Sequence, residues 1–455
     1  MGTVSMIRTL VLIAGLALPA AAAPPITVFN DDGGWCWYED ERIIAGRGKL
    51  IIGSVAAGIH NPERKGDIEV AVYDLKSGAK SVHTLHRGKT PEERRRWLDD
   101  HNSPAFVVRP DGRILAMYSQ HGPEEKIYYR ITLRPHDPTA WGEEKIFVPS
   151  PATRVTYSNL HLLMNENGGK GRIYDFFRGL DNSFKPSWAW SDDFGETWTA
   201  GSVFINVPTQ YRHRPYVKYA SNGRDTVHIL YTEGHPRNYD NSVYHVFYRD
   251  GKLHRSDGTA IRSLRDGLAK PEDGTLVFQG NADNVAWTSD LHIDRNGHPY
   301  GAFSVQKGES ATPQKEHGDD HRYGLARWDG KKWMVREIAH AGSRLYPGED
   351  DYTGNIALDP HDPRTVYIST NADPVTGAPL VSAADQQRHW ELYRGHTSDG
   401  ERWRWTALTK NSAEDNIRPI VPIWEGGRRA VLWLRGKMTA YTNYRFEIAG
   451  IVEDR

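Results

Sequence analysis

The sequence predicts an all-β protein built as a single seven-bladed β-propeller, and three observations carry that prediction. Short apolar runs recur along nearly the whole chain, separated by Asp-Gly and Asn-Gly turns and with almost no helical periodicity. The stretch Ser191-Asp192-Asp193-Phe194-Gly195-Glu196-Thr197-Trp198 is an Asp box, S-x-D-x-G-x-T-W, the turn between the outer strands of a propeller blade. In such a turn Ser191 and Asp193 tie the backbone, Gly195 supplies a positive φ and Trp198 packs into the blade. About 430 residues follow the N-terminal leader; at roughly 60 per blade they fill seven blades, with six and eight as the neighbouring counts. No Pro/Gly/Ser-rich linker or break in composition divides residues 24–455, so one domain is expected.

Residues 1–23 read as a secretory signal peptide. Arg8 supplies the positive charge, Leu10 to Leu18 the apolar core, and Ala20 to Ala23 a small-residue cleavage zone. That core of about nine residues is too short for a bilayer, which needs about 20, and no later stretch is long and apolar enough. The mature chain is therefore expected to be periplasmic or secreted, without a membrane span. The formal net charge of −1 leaves no basic field for nucleic acid. Tryptophan and tyrosine are abundant, as where aromatic faces stack on sugar rings. Cys36 is the only cysteine, so an intrachain disulfide is excluded; it is an apolar filler or a metal ligand.

Taken in order, Trp35-Cys36-Trp37-Tyr38 leads through Asp40-Glu41-Arg42 to the strand Leu50 to Val55. Ile68, Val70 and Val72 alternate along the next strand. Glu92 to Leu98 is the one helical-looking stretch. Ala105 to Val108, the turn Pro110-Asp111-Gly112 and Ile114 to Tyr118 form a hairpin, and Leu291 to Ile293 with Tyr300 to Phe303 form another across Asn296-Gly297. Three strands end alike, at Phe177-Arg178-Gly179, Tyr393-Arg394-Gly395 and Leu434-Arg435-Gly436. A degenerate second Asp box lies at Thr397 to Trp403.

Loops at one end of a propeller's channel form a cleft, and three groups of residues look aimed there. His101, followed by Asn102, and His121 flank one hairpin, so both return to the same end of a blade. Tyr157 and Arg178 bracket the next hairpin; a cation beside a tyrosine lowers its pKa, and an arginine binds a carboxylate in bidentate fashion. Arg214, Tyr216 and Tyr219, followed by His235, Arg237 and His245, read as a polar face for an acidic sugar. Cys36, His235 and His245 are also a candidate structural zinc set, with Asp240 as a fourth ligand. Zinc-hydrolase, phosphate-loop and G-x-S-x-G motifs are not seen.

The Trp35-Cys36-Trp37-Tyr38, His101-Asn102-Ser103-Pro104, Tyr118-Ser119-Gln120-His121-Gly122, Thr156-Tyr157-Ser158-Asn159 and Phe177-Arg178-Gly179 motifs resemble those of the BNR-repeat polysaccharide lyases. That group includes seven-bladed ulvan lyases and related lyases that cleave rhamnosyl-α-1,4-glucuronate. The resemblance runs over essentially the whole mature chain, including Asp351-Tyr352-Thr353-Gly354 and Trp433 to Gly436. It implies cleavage at C4 of a uronate by β-elimination, giving a 4,5-unsaturated sugar. It further implies Arg178, with Arg237, as carboxylate neutraliser, Tyr157 as acid or as both acid and base, and His101 and His121 as base or orienters. Asn102, Arg214, Tyr216, Tyr219 and Arg237 are then substrate-binding residues. The resemblance supports the zinc set but asks no cofactor of the chemistry. A monomer acting on an acidic polysaccharide is expected. The insertion-like Asn165 to Gly171 leaves the register between Tyr157 and Arg178 open.

Two other classes of function stay in view. Asp boxes also occur in sialidases, and a rhamnosidase- or sialidase-like hydrolase would draw its carboxylate-binding arginines from Arg178, Arg214, Arg237, Arg394 and Arg435. A non-catalytic carbohydrate-binding propeller would scatter the Tyr/His/Arg set among blades.

Overall fold

Seven antiparallel sheets succeed one another along the chain. They cover residues 43–86, 105–147, 156–203, 217–278, 284–342, 356–407 and 415–454, numbered here blades 1 to 7. Six have four strands; blade 4 has six, because Val243–Arg249 also pairs with Thr275–Phe278. Thr27–Asn30 pairs with Asn443–Asp454 as the outermost strand of blade 7, so the start of the chain closes the ring. The computed structural model describes residues 25–40, 42–206, 215–308, 318–424 and 426–454. The expected signal peptide, residues 1–23, and Arg214 lie outside them. No helix among the described residues is long and apolar enough to cross a membrane.

The ring follows from strands that bury both faces. In blade 1, Ile68, Val70 and Val72 pack against Ile114, Ala116 and Tyr118 of blade 2. Ala71, on the opposite face of the same strand, packs with Leu432 and Leu434 of blade 7. A blade held between two neighbours thus needs apolar residues on both sides, as in Val431-Leu432-Trp433-Leu434, all fully buried. Fully burying one such side chain contributes about 1.5–3 kcal/mol.

Both Asp boxes fold as turns between the third and fourth strands. Ser191 Oγ donates to Asp193 at 2.8 Å, Gly195 N donates to Ser191 Oγ at 2.7 Å, and Gly195 has φ +91°. Trp198 packs across to Tyr129 and Phe147 of blade 2. In the second box Gly400 N donates to Thr397 Oγ1, and Glu401 N and Arg402 N donate to Asp399. The predicted helix is Pro91–Trp97, opened by a Thr90/Glu93 capping box.

The channel is plugged at one end by the segment that follows the first strand. Trp35 O accepts from Arg418 of blade 7, and Glu39 Oε2 accepts from Ser103 before blade 2. Asn159 Oδ1 of blade 3 accepts from Asp40 N, and the Tyr38 hydroxyl accepts from Val217 N of blade 4. Cys36, Trp37 and Tyr38 pack with Tyr157, Trp287 and Tyr352 into one aromatic cluster on the axis.

Candidate active site

The cluster stands on that plug. His101 lies in a short turn, Asp100–Asn102, ahead of the first strand of blade 2, and His121 follows its second strand, Ile114–Tyr118. The hairpin returns both rings to one edge, where they stack at 4.1 Å between centroids with planes 13° apart. His101 Nδ1 lies 2.7 Å from Asp99 Oδ1 and 2.8 Å from Asp100 Oδ1; His121 Nδ1 lies 3.1 Å from Asp99 Oδ2. On its other side His121 Nε2 meets the Tyr157 hydroxyl at 3.1 Å.

Tyr157 reaches that point because the first strand of blade 3, Thr156–Leu163, bulges. Thr156 pairs with Arg178 and Asn159 with Phe176, leaving Tyr157 and Ser158 in the bulge, with Tyr157 at φ +60°. The left-handed region costs an L-residue about 1–2 kcal/mol. Asp175 offsets it by accepting from Asn159 N at 3.1 Å and Ser158 Oγ at 3.3 Å. The register left open by the insertion is thus settled: residues 166–169 form a tight turn, with Asn167, Gly168 and Gly169 at positive φ, that absorbs it. Arg418 stands on a similar bulge in blade 7, at φ +54°, and reaches Asp100 Oδ2 at 2.5 Å.

Arg178 ends the second strand of blade 3, buried beneath three tyrosines. Its guanidinium carbon lies 4.1 Å from the ring centroid of Tyr216, 4.8 Å from Tyr38 and 5.0 Å from Tyr157. Nη2 donates to Pro215 O at 3.0 Å, while Nε and Nη1 have no hydrogen-bond partner among the described residues.

Burial and neighbouring charge divide the protonation states. Burial opposes charge on His101, but Cys36, Tyr157, Asp100 and Asp99 outweigh it and hold its pKa well above the ordinary imidazole value. Burial, and then the charge on His101, push His121 down. Burial pushes Tyr157 well above the usual phenol range, against the pull of His101 and Arg178. The sequence-based expectation that a cation brings this tyrosine down is therefore corrected: desolvation is the larger effect, and Tyr157 rests protonated. Burial also opposes charge on Asp99, yet the two histidines hold it below the usual carboxylate range.

A model of the BNR repeat-containing family matches residues 36–341. The chain belongs to this family. Among solved structures, the BNR chain is similar to a PL25 ulvan lyase solved with GlcA(1-4)Rha3S bound, at TM-score 0.65 and 16% identity over 92% of this chain and 94% of that one. It is also similar to the polysaccharide lyase Uly1, at TM-score 0.54 and 12% identity over 98% and 94% of the two chains. These likenesses show the propeller fold. No curated protein matches the sequence.

Of the residues singled out in this BNR chain, His101, His121, Tyr157, Arg178 and Tyr216 come together. Asn102 is buried beside them, its amide donating to Trp97 O. Arg237 is spoken for: its guanidinium donates to both oxygens of Glu349 at 2.6 and 2.7 Å, which takes it out of the neutraliser role. Tyr219 is corrected to a core residue; its ring stacks on Phe176 at 4.8 Å within the apolar layer between blades 3 and 4. The zinc set does not assemble. His245 has both ring nitrogens engaged, with His228 at 3.0 Å and Ser256 Oγ at 2.8 Å, while Cys36 packs among the axial aromatics. Among the described residues, the groups of three ligand-type atoms within 4.8 Å are Cys36 with Asp100 and His101, and Asp99 with His101 and His121. There Asp100 is already bound to Arg418, and Asp99 to the two imidazoles.

Sequence reasoning passed over Asp99, Asp100, Tyr38 and Arg418 as site residues. The adjacent acids before His101 were a readable signal. Arg418 gave none, because its place depends on a bulge and on ring closure.

Proposed function

We propose that the chain is a polysaccharide lyase cleaving the bond at C4 of a uronic acid by β-elimination, on a rhamnosyl-α-1,4-glucuronate polymer of the ulvan type. The observation that carries this reading is the Tyr157 hydroxyl on His121 Nε2 at 3.1 Å, beside an arginine with unspent N–H groups. Elimination needs the carboxylate neutralised, the C5 proton removed and the leaving oxygen protonated. Arg178 supplies the cation, with the charged His101 as a second one nearby. Neutral His121 takes the C5 proton while protonated Tyr157 gives its own to O4. The C5–H and C4–O4 bonds break and C4=C5 forms. The proton on His121 then returns to the Tyr157 oxygenate along their hydrogen bond, which resets the pair. All these roles fall to side chains. The ulvan-type substrate is supported by the two lyases of the same fold, one of them solved with GlcA(1-4)Rha3S.

A sialidase-like site would gather three arginines on one carboxylate. Instead Arg394 pairs with Glu453, Arg435 with Glu447 and Arg237 with Glu349.

The test is absorbance near 235 nm during incubation with ulvan and with a rhamnosyl-glucuronate gum. Wild type should raise it, and Tyr157→Phe should be slower by about a hundredfold or more. New reducing ends without absorbance would mean hydrolysis and end the lyase reading.

A further inference from the structure

One carboxylate serves both stacked histidines. Asp99 is itself held by local backbone, as the residue before the Asp100–Asn102 turn, with Oδ1 accepting from His101 N at 3.0 Å. Its two oxygens face the Nδ1 atoms of His101 and His121 at 2.7 and 3.1 Å. We propose that Asp99 is a positioning residue: by accepting from Nδ1 of His121 it fixes that ring in the tautomer whose bare nitrogen, Nε2, faces Tyr157.

A carboxylate only accepts, so each Nδ1 pointing at it must carry a proton. For His101 that proton is shared between Asp99 and Asp100, and Asp100 is in turn fixed by Arg418 Nη1 at 2.5 Å. Two imidazolium rings stacked at 4.1 Å would repel, so the pair carries one charge. Two carboxylates face His101 and only one faces His121, so the charge rests on His101. The neutral ring then has its proton on Nδ1 and its lone pair on Nε2, which accepts the Tyr157 hydroxyl. The other tautomer would set the bare Nδ1 against the Asp99 carboxylate, two acceptors face to face, and would leave Nε2 protonated with no lone pair for the C5 proton. The catalytic consequence rests on the lyase reading above; the tautomer does not.

Asp99→Asn separates the two. Asparagine keeps size and the oxygen that accepts from His101 N, but its amide offers hydrogens where the second carboxylate oxygen stood. An imidazole facing that amide must accept at Nδ1 and carry its proton on Nε2. Long-range ¹H–¹⁵N spectra of uniformly ¹⁵N-labelled protein, with His121 signals assigned by their loss in His121→Gln, read this directly. Wild type should show His121 protonated at Nδ1 and bare at Nε2, and Asp99→Asn should reverse the pattern. On ulvan, kcat should fall by about a hundredfold or more with KM within about threefold, and Asp99→Glu should recover part of the loss. A wild-type His121 protonated at Nε2 overturns the proposal whether or not the variant folds. So does an Asp99→Asn enzyme that keeps both the wild-type pattern and the wild-type kcat. If wild type makes no 235 nm product from any uronate, the lyase reading fails, and the spectra still decide the role of Asp99.

Discussion

Arg178 and Arg435 each precede a glycine, in Phe177-Arg178-Gly179 and Leu434-Arg435-Gly436, and each stands on the second strand of its blade. Their cross-strand neighbours differ. Glu447 lies directly opposite Arg435 and pairs with it. Opposite Arg178 stand Thr156 and Pro186, which have no charge to offer. The acid three residues back on the same strand, Asp175, is turned to Asn159 N and Ser158 Oγ. One guanidinium is consumed by the sheet; the other is left to three tyrosine faces. The same Arg-Gly pair has two fates because register, not local sequence, chooses the partner.

Removing the unpaired arginine should have the largest effect. Arg178→Ala should lower the rate of 235 nm product formation by about a thousandfold, with Arg178→Lys losing less because it keeps charge but not the planar fork. A pH profile sharpens the contrast. Because the pKa of His121 is depressed, neutral imidazole persists below its ordinary range, and the acid limb of kcat/KM should have its midpoint below about 6.5. Arg178 contributes to that depression, so the limb should move up in Arg178→Ala and stay in place in Arg435→Gln.

Asp175, the acid that does not pair with Arg178, gives a stability test. Burial raises its pKa to about 8, above the roughly 4 of an unfolded aspartate. Between those values the folded state holds a proton that the unfolded state lacks. Its contribution is therefore complete below pH 4 and falls as pH rises toward 8. Asp175→Asn should flatten that part of the profile in thermal melts from pH 5 to 9; an unchanged slope would remove Asp175 as its source. The smallest effect belongs to the consumed arginine: Arg435→Gln should cost no more than about 1 kcal/mol in denaturant unfolding and leave turnover within about twofold.

The blades were legible because their signals are local. Asp193 and Gly195 make their turn by themselves, and Pro110-Asp111-Gly112 sets a hairpin whose ends carry His101 and His121. Tyr157 and Arg178 could be placed on one hairpin for the same reason. What stayed hidden depends on contacts distant in sequence. Tyr219 and His245 are polar-tipped residues like those of the site, and only inter-blade packing turns them into core. Arg237 looked available because Glu349, its partner, is 112 positions away. The axial plug carries no periodicity from which its path could be read.

Joining first strand to last blade also fixes an order of assembly. Arg418 must find Trp35 and Asp100 from 383 and 318 positions away, so these contacts are among the last that synthesis permits. Long-range pairing of this kind is slow to form. A chain halted before Arg418 could already hold six complete blades and both histidines, yet have neither the clasp on the plug nor the anchor for Asp100. Competence would then come at one late step, when Arg418 of the last blade meets Trp35 and Asp100.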